Sequence, residues 1–189
     1  MNIFVLDNDI TKCAQAHMDK HVTKMILESA QLLCTSKWVT DILGYIPRFL
    51  TPAESKKVRD LATAARYVPL GTRIAEGFPA EYLPFGINHP SCIWVRSSLS
   101  NWEWLIELTE AMQTEALYRG FKPHKSMEVL REMPIPYDLD EPNLTPFGMS
   151  MPDEYKQEDP IEAYRLYYQL DKSHIAVWTK RGAPNWWIE

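Results

Sequence analysis

The segment HMDKHVTKMILE, residues 17–28, concentrates side chains that can bind ligands or move protons. In a helix, residues three and four positions apart lie next to each other on the surface, so this segment and the next turn would form one row. The row is His17, His21, Lys24, Glu28 and Gln31. Lysine and protonated histidine donate charge-assisted hydrogen bonds to phosphate, and a partly buried carboxylate serves as a general acid or base. The row therefore predicts an anion site flanked by Lys20, with Glu28 as the catalytic group if the protein is an enzyme.

Two other interpretations of the row remain open. It would be a solvated helix face if Glu28 only pairs with Lys24, although histidines are uncommon on such faces. It would be a metal site if His17 and His21 share an ion. The sequence HMDKH lacks the glutamate of the HExxH motif, and neighbouring lysines would repel a cation. We therefore predict no metal ligand and no cofactor.

Three further segments carry groups that suit an anionic, aromatic ligand. NHPSCIWVRSS places basic and aromatic side chains at the beginning of a helix, where free N–H groups favour an anion. YRLYYQLDKSHIAVWTKR mixes aromatic and basic residues, and LTPFGMSMPDEY is apolar for a loop, which predicts that it folds over the core or over a ligand. Core packing explains the aromatic residues about equally well. The expected ligand-binding set is Lys20, His21, Lys24, Gln31, His89, Trp94, Arg96, Tyr168, Lys172, His174 and Trp178.

Length and composition favour one soluble domain over residues 1–189. The longest apolar runs are too short for a membrane span, and the first residues show no secretion signal, which predicts a cytoplasmic protein. Three cysteines without CxxC spacing predict reduced thiols. A net charge of −5 disfavours broad binding to a nucleic-acid backbone, since such proteins usually present a basic face.

Periodicity and capping signals predict a mainly α fold, an irregular helical bundle with a short N-terminal strand and long proline-rich loops. The strand is expected at residues 2–6. Helices are expected at residues 11–38 and 51–67, over one or two segments of 89–120, and from Pro160 to Gly182. Capping boxes are expected at Thr51 with Glu54 and at Ser100 with Glu103, and Gly120 and Asp159 are expected to mark helix ends. The segments 68–90 and 123–160 are expected to be irregular, and either would suit a lid.

Four segments together resemble a family of small bacteriophage proteins: DKHVTKMILESAQLLCT, NHPSCIWVRSSLSNWEWL, MPDEY and AYRLYYQLDKSHIAVWTKR. This resemblance covers most of the chain and brings no activity with it. The chain is more distantly similar to the phage pyrimidine-dimer DNA glycosylases, small all-α proteins that use an N-terminal amine and a helix-borne glutamate. That similarity implies a catalytic role for Glu28. The family requires a small, freed second residue, whereas Asn2 follows Met1 here, so imine chemistry would move to Met1, Lys20 or Lys24.

Three functions follow as hypotheses. The first is binding of a small nucleotide-like phosphorylated ligand in a cationic and aromatic pocket. For a phage protein this would sequester or alter a host nucleotide or a defence signal in the host cytoplasm. The second is a DNA glycosylase or lyase that acts through Glu28, which the acidic charge disfavours. The third is a non-enzymatic protein-interaction module. A homo-oligomer is compatible with each of them.

Overall fold

The computed structural model describes residues 2–136, 139 and 142–188 and confirms a mainly helical fold. Within these ranges the chain forms seven α-helices and two short 3-10 turns, at Asp153–Tyr155 and Ser173–Ile175. The helices are α1 (Ile10–Ala16), α2 (Asp19–Leu43), α3 (Pro52–Ala65), α4 (Pro90–Val95), α5 (Leu99–Arg119), α6 (Ser126–Arg131) and α7 (Pro160–Asp171). The strand expected at residues 2–6 is wrong. This run is buried, but no strand occurs in the described ranges.

The long helix α2 lies at the centre of the fold and packs against α3, α4, α5 and α6. Its apolar face, which includes Val22, Ile26 and Leu33, is fully buried against α5 residues such as Leu105 and Leu108. Burying one such side chain contributes about 1.5–3 kcal/mol. Among the helices that the structure describes, none is both long and apolar enough to cross a membrane.

The helix expected over residues 11–38 is interrupted between α1 and α2. At this break the buried guanidinium of Arg119 donates hydrogen bonds to the carbonyls of Gln15 (2.9 Å) and His17 (2.8 Å). These bonds satisfy carbonyls that lose their helical partners where the helix is interrupted. His17 ends α1, and its ring turns inward, where its Nδ1 lies 2.8 Å from the carbonyl of Cys13. His17 therefore does not lie in one surface row with His21 on α2.

Local capping signals place most helix ends correctly. Thr51 and Glu54 form the expected capping box of α3, and Gly120 ends α5 with a φ of 94°, a left-handed conformation that favours glycine. The capping box expected at Ser100 is wrong, because Ser98 is the N-cap of α5 and its hydroxyl accepts from the backbone N–H of Asn101. The cap therefore lies two residues earlier.

The last helix ends at Asp171, well before the expected Gly182. The tail instead folds back onto α1 and α2. The carbonyl of Val177 accepts from the N–H of Asp19 (2.8 Å), and the indole of Trp178 donates to the carbonyl of Ala16 (2.9 Å). These partners satisfy the ends of α1 and α2, so tertiary contacts outweigh continuation of the helix.

Candidate functional site

His21 lies in the first turn of α2 with only 5% of its surface exposed. The ring of Phe4 stacks on it, with centroids 4.8 Å apart and planes inclined by 16°. The hydroxyl of Tyr168 lies 2.6 Å from its Nδ1. Stacking and this hydrogen bond together fix both the plane of the imidazole and the direction of its second nitrogen.

The partners of Tyr168 determine which imidazole nitrogen carries the proton. The hydroxyl oxygen accepts from the N–H of Met18 (3.4 Å), and in the described chain Nδ1 of His21 is its one acceptor. Burial raises the pKa of Tyr168 well above its usual value, so the hydroxyl keeps its proton. Because its oxygen already accepts from Met18, we assign the hydroxyl as the donor to Nδ1. A neutral imidazole then carries its own proton on Nε2.

The Nε2–H edge of His21 is available to a ligand. Within the described ranges Nε2 of His21 has no hydrogen-bond partner in the protein. It is nevertheless not fully enclosed, whereas Nε2 of His17 is both enclosed and without a partner. Part of this nitrogen is therefore accessible, and in the assigned tautomer it is a hydrogen-bond donor whose direction is set by Phe4 and Tyr168.

Basic groups from two distant segments lie within electrostatic range of His21. Burial is the main cause that lowers its pKa to about 3, and the charges of His17, Lys24, Lys172 and His174 contribute to this shift. Lys24 belongs to α2, whereas Lys172 and His174 follow α7, so the fold brings together two of the segments that the sequence singled out. At neutral pH His21 is accordingly a neutral donor and not the cation that the sequence suggested.

Glu28 holds Lys24 on the exposed side of α2. Its Oε1 lies 3.1 Å from the Lys24 ammonium, and the side chains of the lysine and the glutamate are 60% and 12% exposed. The other oxygen accepts from the backbone N–H of Asn2 (2.9 Å). Burial lowers the pKa of His89 while the Glu28 carboxylate opposes that shift, which places the two within electrostatic range. Glu28 is thus a partly buried carboxylate between two basic side chains.

Lys172 is the second lysine within electrostatic range of His21. Its ammonium lies 2.6 Å from the carboxylate of Asp171 and 4.8 Å from the centroid of the Tyr167 ring. Tyr155 packs on the same tyrosine, with ring centroids 5.1 Å apart. Two half-buried aromatic rings therefore stand beside the cation.

Several expected ligand-binding residues have structural roles instead. Arg96 is fully buried, and it donates to the carbonyls of Pro47, Ile87 and Arg48 at 2.9, 2.7 and 3.1 Å. Trp94 is also buried, and its indole donates to the carbonyl of Thr145 (3.2 Å). Neither side chain is available to a ligand at the surface of α2.

The remaining residues of the expected ligand-binding set are likewise either structural or exposed at the surface. Trp178 anchors the tail and Tyr168 is fully buried, so Tyr168 acts on His21 and not directly on a ligand. His89 caps α4, where its Nδ1 accepts from the N–H of Ser91. Lys20 is exposed and Gln31 is half-buried on α2. The structure thus keeps the lysines and His174 at the surface.

Sequence reasoning missed Phe4 and Tyr167. Phe4 belongs to a buried N-terminal run whose partner is not indicated by any local pattern. Tyr167 lies within YRLYYQLDK, where three tyrosines among basic residues indicated a mixed face but not which ring meets the lysine. Met1, one of the amines considered for imine chemistry, lies outside the described residues.

Comparisons of the chain with protein-family models, curated proteins and solved structures found no match. Across the ranges that the structure describes, histidine, cysteine, aspartate and glutamate nowhere form a group of three or more that could hold a metal ion. The functional argument therefore depends on the chemistry of the site alone.

Proposed function

We propose that this chain binds a small phosphorylated, nucleotide-like ligand on the surface formed by His21, Lys24, Lys172 and His174, called here the basic surface. The supporting observation is that Phe4 and Tyr168 hold the ring of His21 within electrostatic range of basic groups from two segments. A fixed donor between ammonium groups matches a phosphate, which offers several acceptor oxygens and negative charge.

The basic surface binds the phosphate through one oriented hydrogen bond and two mobile charges. A phosphate oxygen accepts from Nε2–H of His21, and the ammonium groups of Lys24 and Lys172 compensate its charge. Each hydrogen bond to a charged group contributes about 1.5–3 kcal/mol. The aromatic rings of Tyr155 and Tyr167 beside Lys172 offer contacts for a base.

Two carboxylates limit the affinity of this surface. Lys24 is paired with Glu28 and Lys172 with Asp171, so a phosphate competes with these two carboxylates for the lysine ammonium groups. The competition is between exposed charges and is screened by salt. Together with a net charge of −5, this supports a small ligand over a nucleic-acid polymer.

Titration calorimetry with pyrophosphate and with ATP tests the proposal. We expect binding by the unaltered chain and at least a tenfold loss in Lys24→Gln and Lys172→Gln, in proportion to one charge-assisted contact of about 1.5 kcal/mol. Lys56→Gln is a matched control, because Lys56 also forms an i,i+4 ion pair with a carboxylate, that of Asp60. Equal binding by the three variants would refute the basic surface as the site.

A DNA glycosylase or lyase is the second candidate, supported by the 3.1 Å approach of the Lys24 amine to Glu28. In that reaction the amine adds to the C1′ aldehyde of an abasic nucleotide and water leaves, giving an imine, with Glu28 accepting a proton. Borohydride reduction of a mixture with an abasic duplex would trap this imine. Trapped complex that is lost in Lys24→Gln would support a lyase, and its absence would leave ligand binding.

The resemblance to small bacteriophage proteins adds an expected purpose to the first proposal, namely sequestering or altering a host nucleotide or defence signal in the host cytoplasm. Mass spectrometry of what the purified protein releases on denaturation would identify such a ligand. A protein-interaction module is the remaining alternative, and for it Lys24→Ala with Glu28→Ala should leave function intact.

A further inference from the structure

A groove of about 520 Å³ lies on another part of the molecule, between the α2–α3 loop and the segment 145–148. That volume is within the usual range for small-molecule sites, about 300–1,000 Å³. Its main lining residues are Pro47, Arg48, Phe49, Ile93, Trp94 and Pro146. No residue of the basic surface lines it, so the inference below does not depend on the proposed function.

Arg96 fixes the wall of the groove that carries Arg48 and Phe49. Its guanidinium donates to the backbone carbonyls of Pro47 and Arg48, and, in the described part of the chain, no carboxylate pairs with it. Burying a guanidinium without a counter-ion is costly unless its donors are all used. The buried guanidinium of Arg96 therefore holds the α2–α3 loop in one position.

The opposite wall is equally well fixed. The side chain of Asn101 donates to the hydroxyl of Thr145 (2.7 Å) and accepts from its backbone N–H (2.9 Å). Gly148 packs so closely on α4 that an added Cβ would lie 3.3 Å from the carbonyl oxygen of Pro90. Because both walls are held by buried hydrogen bonds or close packing, the groove is formed before any ligand arrives.

The lining of the groove indicates the chemistry of its ligand. Proline and aromatic side chains provide flat apolar walls, and Phe49 is 62% exposed, so its ring is accessible to a ligand in the groove. Among the described residues that line the groove, Arg48 is the one charged side chain, with its guanidinium 5.8 Å from the Phe49 ring centroid. We propose that this groove binds a flat aromatic molecule carrying an anionic group, with the rings against Phe49 and the prolines, near the edge of the buried Trp94, and the anion on Arg48.

Two dyes with the same ring system separate the two parts of this proposal. Anilinonaphthalene sulfonate carries an anion, whereas N-phenyl-1-naphthylamine lacks it. We expect fluorescence titration to show tighter binding of the sulfonate. Arg48→Gln should weaken the sulfonate about tenfold, the value of one charge-assisted contact, and leave the neutral dye unchanged. Phe49→Ala should weaken both dyes.

The control is Arg59→Gln, an exposed arginine of α3 outside the groove. Nitrogen-15 spectra should show the Trp94 indole signal moving with added sulfonate dye, while a cooperative unfolding transition shows that each variant is folded. The proposal is overturned if neither dye binds, if Arg48→Gln and Arg59→Gln behave alike, or if the shifted signals lie outside the groove. Loss of dye binding in Lys24→Gln with retention in Arg48→Gln would instead move the dye to the basic surface.

Discussion

Acidification from pH 7 to pH 5 should destabilise the fold through His17 and His21. Burial is the main cause that lowers the pKa of His17 from 6.5 to about 4 and of His21 from 6.5 to about 3. Arg119 adds to the first shift, and Lys24 is among the charges that add to the second. At pH values between the lowered pKa and 6.5, each histidine binds a proton in the unfolded chain but not in the folded chain. The contribution of the two histidines to the free energy of unfolding is therefore fully present above pH 6.5 and is lost as the pH drops below that value.

The size of this loss follows from the two shifts. Each histidine costs about 1.4 kcal/mol per pH unit while it is protonated only in the unfolded chain. From pH 6.5 to pH 5 that amounts to about 2 kcal/mol for each histidine and about 4 kcal/mol for His17 and His21 together. Burial lowers the pKa of His89 and of His124 as well, so their contributions have the same sign.

Urea unfolding at pH 7, 6 and 5 measures this dependence. His21→Gln should reduce the slope of unfolding free energy against pH by about one proton, or about 1.4 kcal/mol per unit, whatever its effect on stability at pH 7. Lys20→Gln is the control, since this lysine of α2 is exposed. A change below about 1 kcal/mol between pH 7 and pH 5, or an unaltered slope in His21→Gln, would refute the assignment of buried, neutral histidines.

Two further predictions concern side chains that support the site. Tyr168→Phe removes the proton donor to Nδ1 of His21, so we expect nitrogen-15 spectra to show part of the imidazole proton on Nδ1 and calorimetry to show up to about tenfold weaker pyrophosphate binding; unchanged spectra would contradict the tautomer assigned here. Arg119→Ala leaves the buried Glu115 carboxylate without one of its cations, so urea unfolding should show a loss of about 3–5 kcal/mol, against little change in exposed Arg66→Ala. A loss equal to that of Arg66→Ala would contradict the role of Arg119 at the α1–α2 break.

Features set by local chemistry could be predicted from the sequence. Thr51, Gly120 and Asp159 mark helix ends because a cap depends on a few neighbouring residues. The break after α1 could not be predicted, since the group that satisfies its carbonyls, Arg119, lies about a hundred residues away along the chain. Periodicity describes one helix at a time and does not reveal such a partner.

The candidate site shows the same division. The sequence identified the segments around His21 and Lys172 that the fold brings together, because basic and aromatic side chains are conspicuous in both. It did not reveal that Phe4 covers His21 and keeps it neutral, nor that Arg96 turns inward to hold a loop. Residue type suggested a charge in both cases, whereas burial decided what each side chain does.

The most direct test of the basic surface follows the His21 ring itself. Nitrogen-15 spectra of histidine-labelled protein should show a neutral imidazole protonated on Nε2 at pH 7, and titration with pyrophosphate should move that Nε2 signal in parallel with calorimetric binding. The signal should stay in place when pyrophosphate is added to the Lys24→Gln, Lys172→Gln double variant. Binding that leaves the His21 signal unmoved, or an imidazole protonated on Nδ1 in the free protein, would contradict the account.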